Sequence, residues 1–321
     1  MNRVQARERP AFDVRASLAI PLRRLIRTRL AMDAVLVAGL VLVAFRMLNL
    51  YPWTFPDLDF HAYWESRDVI NYGAYSPYLI GAFLYSPAFA HVIAPLTELS
   101  WPVFAGVWTA ILVGAYVWLT GRWALPLLLS VAVGLEIYLG QIDILIAAAI
   151  VIGFRYPAAW ALPILTKVAP GIGLLWFVFR REWRNLLIAL TATAAIAAVS
   201  AVIAPTLWKG WIDLLVRTVT DHETVRGTYL AVPVWLRLPA AVALLWWGAR
   251  SDRLWTVPVA AFLSMPILWL NVFTILLGAV PLLPSAGRTP ARAWLLRERV
   301  PGLRPRVVGA VARRGSHWPA T

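Results

Sequence analysis

At 321 residues, with 60% hydrophobic and only 14% charged side chains, the chain is too apolar for a soluble domain of its length. Its net charge of +14 is gathered at the two ends, residues 1–29 and 286–321, so it marks membrane topology rather than a nucleic-acid surface. The absence of cysteine and the scatter of four histidines exclude disulfides, thiolate sites and a histidine metal motif.

Apolar runs recur along most of the sequence, and ten-residue alternating strands do not. The reading is an all-α, polytopic integral membrane protein with about eight to ten transmembrane helices. Residues 1–30 form an Arg-rich arm, 31–284 a membrane-embedded domain, and 285–321 a basic tail expected to be disordered and cytoplasmic like the arm. Contact with membrane lipids follows, and no nucleic-acid partner is expected. The arm is not read as a cleavable signal, because "LAMDAVLVAGLVLVAF" lacks a small-residue cleavage site at its end.

The first span runs over about 31–50, and residues 51–77 form an extracytoplasmic loop with a short amphipathic segment. The stretch 78–96 is interrupted by Pro87 and Pro95. A span at about 101–120 ends at Arg122, the next ends outside at "GQID", and a return span ends at Arg155. Residues 157–179 are either one crossing or a hairpin bent at "KVAPG"; the hairpin keeps Arg180, Arg181 and Arg184 inside and puts Lys167 outside. Spans at 186–204 and 229–248 flank a loop containing "DHETVRG", and the stretch 255–284 is one tilted span or a tight pair. Under this topology the polar motifs all fall on the extracytoplasmic side.

Two acids stand in "FPDLDFHAYW". A carboxylate at an outer interface suits a general base that takes a proton from an attacking hydroxyl; the bland alternative is a solvated loop acid. Asp57 follows Pro56 and reads as a turn or cap residue. Asp59 is four residues from Tyr63, so in a helix the two share a face. Lys167 is one of two lysines among thirty basic residues. It suits a phosphate as a compact charge, or an interface anchor. Gln141 suits a sugar hydroxyl or a helix–helix contact, and Trp269 suits stacking on a sugar or a belt position. His222 is the one histidine worth testing. A transporter or lipid carrier is the rival class; coupled transporters place ionisable groups at mid-bilayer, and here only Asp33 and Glu136 lie inside spans, both near ends.

The order of motifs resembles glycosyltransferase family 87. The elements are "DFHAY" (59–63), "GAYSPY" (73–78), "YSP" (85–87), "GQID" (140–143), "KVAP" (167–170) followed by "RREWR", and "PILW" (266–269) with Asn271 two residues on. The resemblance covers roughly 31–284 and implies a GT-C-like membrane fold. It implies an inverting hexosyltransferase, typically a mannosyltransferase; with the arginine-rich ends this makes a plasma-membrane protein with both termini cytoplasmic. Its partners would be a polyprenyl-phosphate sugar donor and a glycolipid or glycan acceptor on the extracytoplasmic face. In that reading Asp59 is the base and Lys167 and Arg226 hold the donor phosphate. Tyr63, Tyr78, Gln141, Trp269 and Asn271 contact substrates, and no metal or other cofactor is required. The sequence departs from the pattern at Asp143, where Asn is usual, and at Asn271, where His is frequent and Asn is no acid or base. A catalytically degenerate member is therefore a further alternative.

Overall fold

The computed structural model describes residues 30, 33–46, 48, 59–68, 70–75, 82–220, 229–230, 232–283 and 289–297. Asp57, Tyr78, His222 and Arg226 lie outside these residues, as do nearly all of the N-terminal arm and the end of the tail. Among the described residues the structure is helices and their connecting turns, apart from one two-stranded ribbon. The helices in order are α1 (33–46), α2 (Asp59–Glu65), α3 (Pro87–Thr97), α4 (Trp101–Thr120), α5 (Ala124–Leu128), α6 (Val131–Leu139), α7 (Asp143–Gly153), α8 (Ala161–Lys167), α9 (Leu175–Phe179), α10 (Trp183–Ile203), α11 (Pro205–Thr220), α12 (Val234–Arg250), α13 (Thr256–Ser264) and α14 (Pro290–Arg297). A 3₁₀ helix over Leu270–Leu282 is the longest of several. The ribbon pairs β1 (Tyr229–Leu230) antiparallel to β2 (Leu268–Trp269).

Among the described residues two helical stretches, Trp101–Leu128 and Trp183–Ile203, are long and apolar enough to cross a bilayer. The pair α6 and α7, bent by 102°, is either a broken third span or a re-entrant loop. The remaining apolar runs, expected to complete about eight to ten crossings, fold among the described residues as short or interrupted helices. Proline and glycine are the cause: Pro95, Pro170 with Gly171, and Pro281 each remove a donor or loosen the backbone inside an apolar run. α10 is nearly bare of protein neighbours along Leu187, Ile196, Val199 and Val202, and α12 along Trp235, Leu238, Val242 and Trp246. Apolar rows of this length left uncovered suit hydrocarbon, not water.

Residues 157–179 form the hairpin. α8 rises to Lys167, Val168 turns the chain with φ 48°, and a 3₁₀ turn over Ala169–Leu174 leads back through α9. The ring contact of Trp160 with Phe177 lays the two arms side by side, and Phe154 at the end of α7 meets Trp176. The bend therefore places Arg180 beside the Arg155 end. Arg180 donates to the Ala249 carbonyl and pairs with Asp252. Arg155 lies over the Trp294 ring, and Trp294 meets Trp118. The regions of Arg122, Arg155, Arg180 and Arg250 thus share one end of the bundle, and Lys167 lies at the other.

Candidate active site

The site is built around the elbow between α6 and α7. Ser130 caps the start of α6 by accepting from Val133 N–H, and Gly140 ends it in the left-handed conformation, φ 68°. The Gly140 and Gln141 N–H groups both return to the Glu136 carbonyl. Only glycine fits at 140, since a methyl there would come within 2.5 Å of the Phe60 ring. Three elements fasten the elbow from outside. Trp108 of α4 donates to the Gly140 carbonyl at 2.7 Å. Phe60 of α2 packs on Gly140. Arg46 at the end of α1 donates to the Ile137 and Tyr138 carbonyls at 3.0 Å each and lies 4.7 Å over the Phe60 ring.

Four polar side chains meet behind the elbow. Lys167 Nζ donates to both oxygens of Asp143, at 2.8 and 2.9 Å. Asn271, at the start of the 3₁₀ helix, donates from Nδ2 to Asp143 at 3.1 Å and to Glu136 at 3.4 Å. Glu136 Oε1 accepts the Ile144 N–H at 2.9 Å. The side chains of Glu136 and Asp143 are wholly buried, which is tolerable only because each oxygen finds a donor or a cation.

Asp59 opens α2 and stands in front of this group, partly exposed. The Gln141 amide, Lys167 and Asp143 lie close enough to act on its carboxylate electrostatically. Burial pushes the Asp59 carboxyl up to about 6, against the opposing pull of the Gln141 amide and the Lys167 charge. A carboxylate with that proton affinity is mostly ionised at neutral pH and more basic than an ordinary aspartate. Gln141 Oε1 accepts from Tyr85 OH at 3.0 Å, and Tyr85 OH accepts from Tyr63 OH at 2.8 Å.

Of the residues singled out from sequence, Asp59, Tyr63, Gln141, Lys167 and Asn271 are brought into this one group. Tyr63 turns inward: it is fully buried among the rings of Phe83, Tyr85, Phe89 and Trp108, and its hydroxyl is spent on Tyr85. Trp269 lies on β2, two residues before Asn271, and is partly exposed. Tyr78 and Arg226 fall outside the described residues.

The sequence reading placed no ionisable group deep within a span. The bend at Gly140 brings Glu136 and Asp143 together in the interior, and Lys167 at the end of α8 joins them by pairing with Asp143. Sequence reasoning therefore missed Glu136, and it passed over Tyr85 and Arg46. Glu136 did leave a signal, being a lone acid in an apolar run. Arg46 left none beyond its place at the end of the first span.

Residues 83–298 match the family model described as Glycosyltransferase family 87. The chain belongs to glycosyltransferase family 87. No curated protein and no solved structure matches it. The family 87 match takes in Tyr85, Glu136, Gln141, Asp143, Lys167 and Asn271, and begins after α2 with Asp59. Family membership makes the chain a glycosyltransferase and sets aside the carrier reading.

An apolar groove of about 250 Å³ runs beside the elbow, between α1, α4 and α6. Val35, Ala38, Leu42, Val113 and Gly134 line it, with Arg46 also on its wall.

Proposed function

We propose that this protein is an inverting hexosyltransferase, with mannose as the expected sugar, that uses a polyprenyl-phosphate donor and a hydroxyl acceptor on a lipid or glycan. The observation that carries the reading is Asp59: a partly exposed carboxylate of raised proton affinity, beside Gln141 and facing the Lys167 side of the elbow. In the reaction, Asp59 accepts the acceptor's hydroxyl proton as that oxygen attacks the anomeric carbon. The bond from carbon to the phosphate oxygen breaks on the opposite face, and its electron pair leaves with the phosphate. Lys167 uses two N–H groups on Asp143, and the third is free in direction to meet the leaving phosphate. Arg226 is the second candidate for that phosphate. Tyr78, Trp269 and Asn271 remain candidates for the sugar and acceptor, while Tyr63 acts through Tyr85. The groove beside the elbow suits the donor's isoprenoid chain, since its lining is apolar and its wall includes Arg46, which lies over Phe60 of α2.

The site end of the bundle is assigned to the extracytoplasmic face of the plasma membrane, with both termini cytoplasmic. Its support is the gathering of Arg122, Arg155, Arg180 and Arg250 at the opposite end. The exposed Glu65 and Ser251 serve as reporters. In intact cells an impermeant thiol reagent should label Glu65→Cys and spare Ser251→Cys; the reverse pattern inverts the topology. The activity itself is tested in nanodiscs with polyprenyl-phosphate mannose and an alkyl mannoside acceptor. Transfer by the native chain that is lost in Asp59→Asn supports the reading, and equal transfer by both overturns the role of Asp59.

A further inference from the structure

Gln141 is an amide with two unlike ends, and which end faces Asp59 decides whether it helps or opposes the carboxylate. The NH₂ end stabilises the ionised base, while the carbonyl end would repel it. The orientation is settled on the far side. Tyr85 has a single hydroxyl proton and gives it to Gln141 Oε1 at 3.0 Å. Tyr63 also has one, and gives it to the Tyr85 oxygen at 2.8 Å. Tyr63 is enclosed by aromatic rings, so among the described residues Tyr85 is the one acceptor its hydroxyl finds. Turning the amide over would force the Tyr85 proton back toward Tyr63 and leave one of the two buried protons without an acceptor, a cost on the scale of a lost buried hydrogen bond.

Tyr85 is also held in place through its backbone. Tyr72 OH donates to its carbonyl at 2.6 Å. The next residue, Ser86, caps α3 and donates to the Leu165 carbonyl, which ties this segment to α8 two residues before Lys167. The hydroxyl that sets the amide is thus fixed to the same frame as the lysine.

We propose that Tyr85 is a positioning residue for the base: its hydroxyl locks the Gln141 amide with NH₂ toward Asp59, which keeps the carboxylate ionised and aimed. The proposal rests on the reading of Asp59 as the base. The charged and titratable groups facing Asp59 are Lys167 from α8, Asp143 from α7, and Tyr63 and Tyr85; only the last is altered in the test variant.

The experiment follows kcat/KM against pH for the full chain in nanodiscs, with polyprenyl-phosphate mannose and an alkyl mannoside. Tyr85→Phe removes one oxygen and keeps the ring. It should move the acidic limb upward by about half to one pH unit and lower kcat about tenfold, with the donor KM unchanged, as expected for weakened support of the ionised base. Gln141→Leu should shift the limb in the same direction, and adding Tyr85→Phe to it should shift it no further, because both act through one amide. If Tyr85→Phe does not fold, Gln141→Leu alone carries the test through its limb. An unmoved limb in these variants, with Asp59→Asn inactive, overturns the role of Tyr85 and leaves the base intact. Full activity in Asp59→Asn overturns the underlying reading instead.

Discussion

Lys167 and Asp143 form a two-point ion pair, 2.8 and 2.9 Å long, in which the aspartate side chain is wholly buried and the lysine nearly so. The lysine therefore has a structural duty besides any toward a phosphate. Removing it alone strands a buried carboxylate, which costs about 3–5 kcal/mol in comparable settings. Lys167→Ala should lower the melting temperature in detergent markedly, and the double change Lys167→Met with Asp143→Leu should recover most of the loss. A single variant as stable as the native chain would show that Asp143 does not depend on Lys167. Donor use is better tested with Lys167→Arg, which keeps the charge; its planar fork should raise the donor KM several-fold.

The raised proton affinity of Asp59 predicts a pH profile. The base works only when deprotonated, so kcat/KM should fall as pH drops through about 6 rather than near 4. Below that limb the decline approaches tenfold per unit. Asp59→Asn should lower the rate by roughly 10²–10⁴-fold and abolish the limb. A limb that persists in Asp59→Asn belongs to another group.

Gly140 combines a positive φ with a ring at van der Waals distance. Gly140→Ala should cost at least about 1 kcal/mol from backbone strain alone, with displacement of Phe60 in addition. Because Phe60 follows Asp59, transfer should fall more than stability does. A fully active, equally stable Gly140→Ala would contradict the elbow geometry.

Val168 is the opposite case, a branched residue held at φ 48° immediately after Lys167. Such strain is typically worth about 1–3 kcal/mol. Val168→Gly should relieve it, offset in part by the greater freedom of glycine in the unfolded chain. The net expectation is unchanged or slightly raised stability with reduced kcat, as the lysine loses its fixed direction. Melting curves beside single-turnover rates would check both.

Gly134 lines the apolar groove, and a methyl group there meets nothing within 4 Å. Gly134→Phe should fill part of the groove and favour the helix by up to about 0.5 kcal/mol. If the donor's lipid chain lies in that groove, the donor KM rises while the acceptor KM does not. An unaltered donor KM would place the chain elsewhere.

Much of the site was legible in the sequence because its polar residues stand out against an apolar background. Asp59, Gln141, Lys167 and Asn271 are far apart in the chain, yet arginine spacing alone sent them to one side, and in the fold they meet. The hairpin at "KVAPG" was one of two open readings, and the contact Trp160–Phe177 favours it. The span count was not legible. Hydropathy records apolar length and cannot distinguish a full crossing from a pair of short helices with a sharp bend between them, such as α6 and α7. The roles of Glu136 and Tyr85 depend on hydrogen-bond direction across elements, which no local pattern encodes.

The 3₁₀ helix from Leu270 to Leu282 starts at the site with Asn271 and ends where Arg292 holds the Pro281 and Leu283 carbonyls. At about 2 Å per residue its thirteen residues span about 26 Å, where an α-helix of the same length would reach about 20 Å. That is close to the roughly 30 Å of a bilayer's hydrocarbon. In the proposed orientation, with the arginine end at one headgroup layer, the tighter coil would act as a measuring rod that sets Asn271 and the elbow near the other. A lipid-borne donor and a water-borne acceptor would then meet there without either leaving its own phase.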